Sequence, residues 1–127
     1  MTDLLSEAER LLDETPAGTA SAWPRAAALL GRQSLEGELT RFWWRHAPGV
    51  ERVPMRAQLA CLRFYAPPDV GSDVSFTWHA LSRATHHHPY DLDPTREELA
   101  SLLAATRRLV ALLRASSGRP AAAERRT

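Results

Sequence analysis

Apolar side chains recur at intervals of three and four residues along most of this chain, the spacing that places them on one face of an α-helix. The recurrence predicts helices over residues 3–14, 22–47, 54–65, 69–86 (or 72–86) and 94–114. No segment alternates apolar and polar residues for long enough to indicate a β-strand. We therefore expect an all-α bundle of four or five helices, formed by residues 1–115, with residues 116–127 as a disordered tail.

In two of the helices, particular residues predict where the helix begins or where it is interrupted. Asp93 followed by Pro94 predicts an N-cap and a first helical position for the last helix. Gly31 and Gly37 each weaken the second helix by about 1 kcal/mol relative to Ala, which leaves a kink or a break open. The apolar stripes predict core positions for Phe42, Trp43, Trp23, Trp78, Met55 and Cys61.

Length and composition restrict the class of protein. With 127 residues and a mass of 14.1 kDa, the chain has the size of one domain. The single cysteine, Cys61, excludes an intramolecular disulfide and a CxxC zinc or redox site. No apolar run approaches the ~20 residues of a membrane span, and the N-terminal residues lack the features of a signal peptide. We expect a cytoplasmic protein with no membrane partner.

Arginine supplies all 16 basic residues, since the chain has no lysine. A GC-rich genome accounts for this excess, and a net charge of +1 creates no global field that would attract nucleic acid. The charges are unevenly distributed, however. Residues 1–14 carry five acids and one arginine, whereas residues 22–63 carry seven arginines and three acids.

Three of the five histidines, His86, His87 and His88, stand together at the predicted end of the fourth helix. A helix C-terminus stabilises an imidazolium by about 0.3–1 kcal/mol, which explains them without any function. Consecutive helical residues point about 100° apart, so the three cannot all bind one metal ion. His79 lies about two turns from His86, too far for ~2.1 Å bonds to a shared zinc ion. The sequence therefore predicts no metal site and no cofactor.

Arg83 and His88 form a candidate catalytic pair. A guanidinium binds phosphate through two hydrogen bonds and stabilises the charge of a pentacoordinate phosphorus. A neutral imidazole accepts the proton of an RNA 2′-hydroxyl, because its pKa lies near neutral pH. Together the two groups suffice for metal-independent RNA cleavage through a cyclic phosphate, and a two-fold dimer would bring two pairs into one cleft. His87 is the nearest substitute for His88.

With this motif the chain resembles the HEPN superfamily of small all-α domains, typically four-helix bundles that often dimerise. Active members carry Arg-x(4–6)-His near the end of the third main helix, and Arg83 to His88 matches as Arg-x4-His. The resemblance covers residues 71–114. It implies a homodimer that acts in toxin–antitoxin, phage-defence or RNA-processing systems. Catalytic members commonly have a polar residue after the arginine, where this chain has Ala84, and many relatives bind RNA or partner proteins without cleaving.

Aromatic and basic side chains alternate from Arg41 to His46. Such a run can stack on bases or contact a partner. Trp44 points away from the buried stripe of its helix, which makes it the candidate binding residue of this run. Tyr90 either packs under its loop or reaches a phosphate. Two functions stay open: an RNA-binding domain, with or without metal-independent endoribonuclease activity, and a non-catalytic helical module that binds a cognate protein.

Overall fold

The structure, a computed structural model, describes residues 3–14, 22–86, 92 and 94–116. These residues form five α-helices: α1 (Leu4–Glu14), α2 (Ala22–His46), α3 (Met55–Leu62), α4 (Pro68–Thr85) and α5 (Arg96–Ala115). A short 3₁₀ helix, Val50–Arg52, follows α2 and was not predicted. The described residues contain no β-strand. The prediction of an all-α bundle of four or five helices is therefore confirmed, with five helices.

The long helix α2 is the centre of the fold, because α1, α4 and α5 all pack against it. Its two ends contact different apolar clusters. The cluster at its N-terminal end, here the α1 half, consists of Leu5, Ala8, Leu12, Ala27, Ala28, Leu81, Leu99 and Leu103. The cluster at its C-terminal end, here the α3 half, consists of Leu35, Leu39, Phe42, Trp43, Leu59, Leu62, Ala66, Val74, Leu109 and Leu113.

Helices α4 and α5 run antiparallel. Leu81, near the end of α4, packs in the same cluster as Leu99, near the start of α5. Val74 in the first half of α4 packs with Leu109 in the second half of α5. Their outer sides form a surface that we describe below.

Several predicted helix ends are wrong. The N-cap of α5 is Thr95, not Asp93, since the Thr95 hydroxyl accepts a hydrogen bond from the Glu98 backbone N–H at 3.0 Å. Thr95 and Glu98 have the spacing of a capping box, which outweighs the proline signal. Helix α3 ends at Leu62, three residues before the predicted end, because the chain turns there toward Pro67. The proline pair then opens α4, with Pro68 in its first turn, where a missing N–H costs nothing.

Helix α2 is continuous through both glycines, so no break occurs. At Gly31 the reason is packing: a Cβ atom there would lie 2.8 Å from Leu103 Cδ2 and 3.4 Å from Leu81 Cδ2. The glycine lets α2 approach α4 and α5 closely. Gly37, in contrast, faces only the Arg41 guanidinium, at 3.7 Å.

Most predicted core positions are at least partly buried. Phe42 and Trp43 are completely buried. Trp23, Trp78, Met55 and Cys61 are only partly buried and pack against the edges of the clusters. The indole N–H of the partly buried Trp78 donates to Glu36 Oε2 at 2.9 Å. No helix in the described part of the chain is long and apolar enough to span a membrane, and the predicted tail from residue 117 onward lies outside it.

Candidate functional site

Arg83 lies in the last turn of α4 with its side chain exposed. It makes no hydrogen bond or ion pair with any residue in the described ranges. The helix ends at Thr85, whose hydroxyl donates to the Leu81 carbonyl at 2.8 Å, and the exposed His86 follows in extended conformation. Within these residues, nothing competes with an anion for the Arg83 guanidinium.

The other predicted site residues of this segment lie outside the described residues: His88 and its substitute His87, and the candidate binding residue Tyr90. The Arg83–His88 pair therefore stays a prediction. The part of the chain that the structure describes holds no group of three His, Cys, Asp or Glu side chains that could bind a metal ion.

Trp44 is the predicted binding residue that the structure does describe. Its side chain is 60% exposed, whereas the neighbouring Trp43 is fully buried. The Trp43 indole N–H donates to Gln58 Oε1 at 3.1 Å, which fixes the orientation of α2. Because adjacent helical residues point about 100° apart, Trp44 must then face outward. This agrees with the predicted direction, while its role in binding stays a prediction.

The turn after α2 holds a carboxylate beside Trp44. The Gly49 N–H donates to Glu51 Oε1 at 2.7 Å, and Gly49 adopts a φ of 108°, which favours glycine. Hydrogen bonds from the backbone amides of Glu51 itself and of Gly49 hold the pKa of Glu51 below its usual range, and Arg52 and the Trp44 indole lower it further.

Helix α2 also buries the carboxylate of Glu38, which the sequence analysis did not single out. The side chain is 1% exposed. Its Oε1 accepts hydrogen bonds from Arg114 at 3.0 Å and from Arg41 at 3.4 Å, and the Arg45 guanidinium lies 3.9 Å from Oε2. Oε2 has no hydrogen-bond partner among the described residues. We call these four residues the Glu38 cluster.

The three arginines of the Glu38 cluster reach solvent. Their side chains are 53%, 38% and 66% exposed for Arg41, Arg45 and Arg114, respectively. Arg45 also donates to the Leu113 carbonyl at 3.0 Å and so caps the last turn of α5. Because three positive charges surround a single negative charge, the outer side of the cluster keeps an excess of positive charge.

His46 ends α2 next to this cluster. Its ring packs edge-on against Phe42, with ring centroids 4.3 Å apart. Its Nε2 is buried and has no hydrogen-bond partner among the described residues. Burial lowers the pKa of His46 below its usual range, and the charge of Arg45 lowers it further. The ring is thus neutral at neutral pH and leaves the positive charge here to arginine.

A groove of about 550 Å³ separates the outer sides of α4 and α5. Leu102 and Ala105 line it together with Phe76, whose side chain is 67% exposed. An ion pair between Asp73 and Arg108, 3.5 Å apart, borders the groove toward the α3 half. Phe76, on the α4 side of the groove, lies on the same helix as Arg83.

The spacing along α2 could have revealed part of the Glu38 cluster. Glu38 stands three residues after Leu35 and four before Phe42, so it belongs to the apolar stripe, and Arg41 follows three residues later on the same side. A charge inside an apolar stripe needs a partner nearby. Arg114 carried no such signal, because it lies 76 residues from Glu38.

Comparison with known proteins adds no relative: no family model, no curated protein and no solved structure matches this chain. The interpretation of the site therefore rests on its own geometry.

Proposed function

We propose that this protein is an RNA-binding helical domain whose RNA-facing surface consists of the Glu38 cluster and Trp44. One observation carries the proposal. Three partly exposed guanidinium groups converge on a single buried carboxylate, and one of them, that of Arg41, stands three residues before the 60% exposed Trp44 on α2. Positive charge and an aromatic face are the two elements that bind single-stranded nucleic acid without reading its sequence.

The arginines supply the electrostatic part of this proposal. Arg41, Arg45 and Arg114 share the Glu38 carboxylate, which fixes their guanidinium groups but neutralises only one of the three charges. Phosphate oxygens would supply the missing negative charge through charge-assisted hydrogen bonds. The buried carboxylate therefore positions the arginines, while their solvent-facing N–H groups remain available to the RNA backbone.

Trp44 supplies the stacking part. Arg41 and Trp44 are three residues apart on the exposed side of α2, so the two side chains are neighbours on the helix surface and can contact the same stretch of RNA. Stacking on an aromatic side chain contributes about 1–3 kcal/mol per base. Such stacking requires unpaired bases, which favours single-stranded RNA over a duplex.

The finer proposal, metal-independent endoribonuclease activity at Arg83 and His88, rests on the HEPN resemblance. The exposed Arg83 side chain, which has no partner in the described ranges, is the observation in its favour. The same resemblance is the basis for proposing RNA over DNA and a role in a toxin–antitoxin or defence system in the cytoplasm. A second candidate function, a protein-binding module, draws on the exposed Phe76 beside the α4–α5 groove.

Fluorescence anisotropy with a labelled, mixed-sequence single-stranded RNA tests the binding proposal. We expect Arg41→Ala to weaken binding by about threefold to tenfold and to reduce the salt-dependence slope by about 0.7, the loss of one phosphate contact. Trp44→Ala should weaken binding by about fivefold or more, because one stacked base contributes about 1–3 kcal/mol. Arg10→Ala, on the acidic helix α1, removes the same charge and is the matched control. Equal losses in Arg10→Ala and Arg41→Ala would contradict a defined surface.

The cleavage proposal has its own test. The same RNA is incubated with the protein in EDTA, beside the His88→Ala variant. Products with 2′,3′-cyclic phosphate ends that disappear in the variant support cleavage by the Arg83–His88 pair. Intact RNA in both samples, under conditions where anisotropy shows binding, contradicts cleavage and leaves the binding proposal standing.

A further inference from the structure

We propose that the exposed face of α4 binds a second copy of this chain across a two-fold axis. In this dimer Asp73 of each copy pairs with Arg83 of the other, and Phe76 of each copy packs over Ala80 of the other. The inference goes beyond RNA binding, which we assign to α2 and α5.

The order of residues along α4 carries this proposal. Asp73, Phe76, Ala80 and Arg83 are separated by three, four and three residues, so they lie within about 80° of one another on one side of the helix. This series of spacings, three, four and three, is the same from either end of the helix. When two copies of α4 meet antiparallel about the level of residue 78, acid therefore faces base and the large side chain faces the small one.

The exposure of these residues fits such a contact. Phe76 is 67% exposed, Asp73 is about half exposed, and Arg83 is exposed without a partner in the described ranges. Covering a phenylalanine this exposed removes apolar surface from water, which favours association. The groove next to it, lined by Leu102 and Ala105, is open enough to receive the ring of the second copy.

Charge complementarity identifies a second copy as the occupant. In a two-fold interface the same surface must complement itself, and a face with charge of one sign would repel its copy. Here Asp73 and Arg83 have opposite signs and stand about 15 Å apart along the helix axis. Each end of the interface then gathers Asp73 and Arg108 of one copy with Arg83 of the other.

This arrangement assigns Arg83 to assembly. The two Arg83 side chains of the dimer lie at opposite ends of the interface, about 15 Å apart along the helices, instead of sharing one cleft. A dimer of this form is therefore an alternative to cleavage by paired Arg83 and His88 residues, while the Glu38 cluster and Trp44 stay on other elements. An interface built on one helix pair is small, so we expect a dissociation constant in the micromolar range, about 1–100 µM.

Sedimentation velocity over a concentration series tests the proposal. We expect the wild-type protein to dimerise, and Asp73→Arg and Arg83→Asp each to weaken dimerisation at least about tenfold. When the two variants are mixed, the two arginines on α4 of one chain face the two aspartates on α4 of the other, so a heterodimer is expected. The mixture makes the test independent of folding, because a misfolded variant would not regain a partner.

Two further variants separate the proposed face from general effects. Phe76→Glu is expected to abolish the dimer, whereas Phe64→Glu, at a phenylalanine that is 56% exposed elsewhere, is expected to leave it unchanged. Arg108→Ala removes the partner of Asp73 within its own chain and controls for loss of that ion pair. A wild-type protein that stays monomeric up to about 100 µM, or variants that fail to reassociate on mixing, would overturn the proposal.

Discussion

The α1 half and the α3 half of the bundle both close over apolar clusters, yet the main ion-pair cluster of each half places its acidic side chains differently. In the α1 half the ion pairs lie on the surface: Arg107 contacts Glu9 at 2.6 Å and Asp3 at 3.5 Å, with all three side chains solvent-accessible. In the α3 half the acid is inside, since Glu38 is 1% exposed while its three arginines reach solvent.

This difference shows how a chain with a net charge of +1 acquires a positively charged surface. Where acid and base are equally exposed, as for Glu9 and Arg107, their fields cancel within a short distance. Where one acid is buried beneath three arginines, it orients them and offsets only one of their three charges. The α3 half presents a basic face because three arginines share one buried carboxylate, whereas Arg107 in the α1 half faces two acids.

The largest expected contrast lies between two adjacent tryptophans of α2. Trp43→Ala removes a fully buried side chain and its hydrogen bond to Gln58, so we expect a loss of about 3–5 kcal/mol in the free energy of unfolding. Trp44→Ala should change it by less than about 0.5 kcal/mol, because that side chain is exposed. Urea denaturation of both variants measures the two values, and similar losses would refute the assigned orientation of α2.

A second contrast compares the carboxylates of the two halves. Glu38→Gln leaves three guanidinium groups around a neutral amide, and we expect it to destabilise the fold by about 1–3 kcal/mol. Glu9→Gln weakens an exposed ion pair and should cost at most about 1 kcal/mol. Thermal and urea unfolding in parallel provide the comparison, and a Glu38→Gln variant as stable as Glu9→Gln would show that burial of Glu38 does not hold the cluster together.

Substitution of the two glycines of α2 by alanine should change the free energy of unfolding in opposite directions. Gly31→Ala places a methyl group 2.8 Å from Leu103 Cδ2 in the α1 half, and overpacking of about 1–3 kcal/mol should exceed the helix-propensity gain of about 1 kcal/mol. Gly37→Ala meets only the Arg41 side chain and should stabilise the protein by about 0.5–1 kcal/mol. Two stabilising substitutions would contradict the close packing of α2 at Gly31.

The smallest expected effect concerns pH. Burial keeps the pKa of His46 below its unfolded value of about 6.5, so the unfolded chain binds more protons as the pH falls below that value. The contribution of His46 to stability is therefore present above about pH 6.5 and is lost as the solution becomes more acidic. We expect His46→Phe to flatten the decline in unfolding free energy between about pH 7 and pH 5. An unchanged slope would show that His46 does not cause the decline.

Local periodicity was sufficient to predict the helices. The stripe of Leu99, Leu103, Leu109 and Leu113 predicted α5, because an amphipathic helix needs only neighbouring residues to define its apolar face. Helix ends were less predictable, since Asp93-Pro94 predicted an N-cap two residues before Thr95, which caps α5 in the structure. The Glu38 cluster required tertiary structure, because Arg114 reaches Glu38 from a different helix. The outward direction of Trp44 could be predicted from the apolar stripe of α2 alone.

The most direct test of the account is to locate where RNA contacts the protein. A 4-thiouridine-labelled single-stranded RNA is photo-crosslinked to the wild-type chain, and the attached peptides are identified by mass spectrometry. We expect crosslinks at Trp44 and its neighbours in α2, with loss of these crosslinks in Arg41→Ala. Crosslinks confined to the segment that begins at Arg83 would contradict it and would place the RNA at the end of α4 instead.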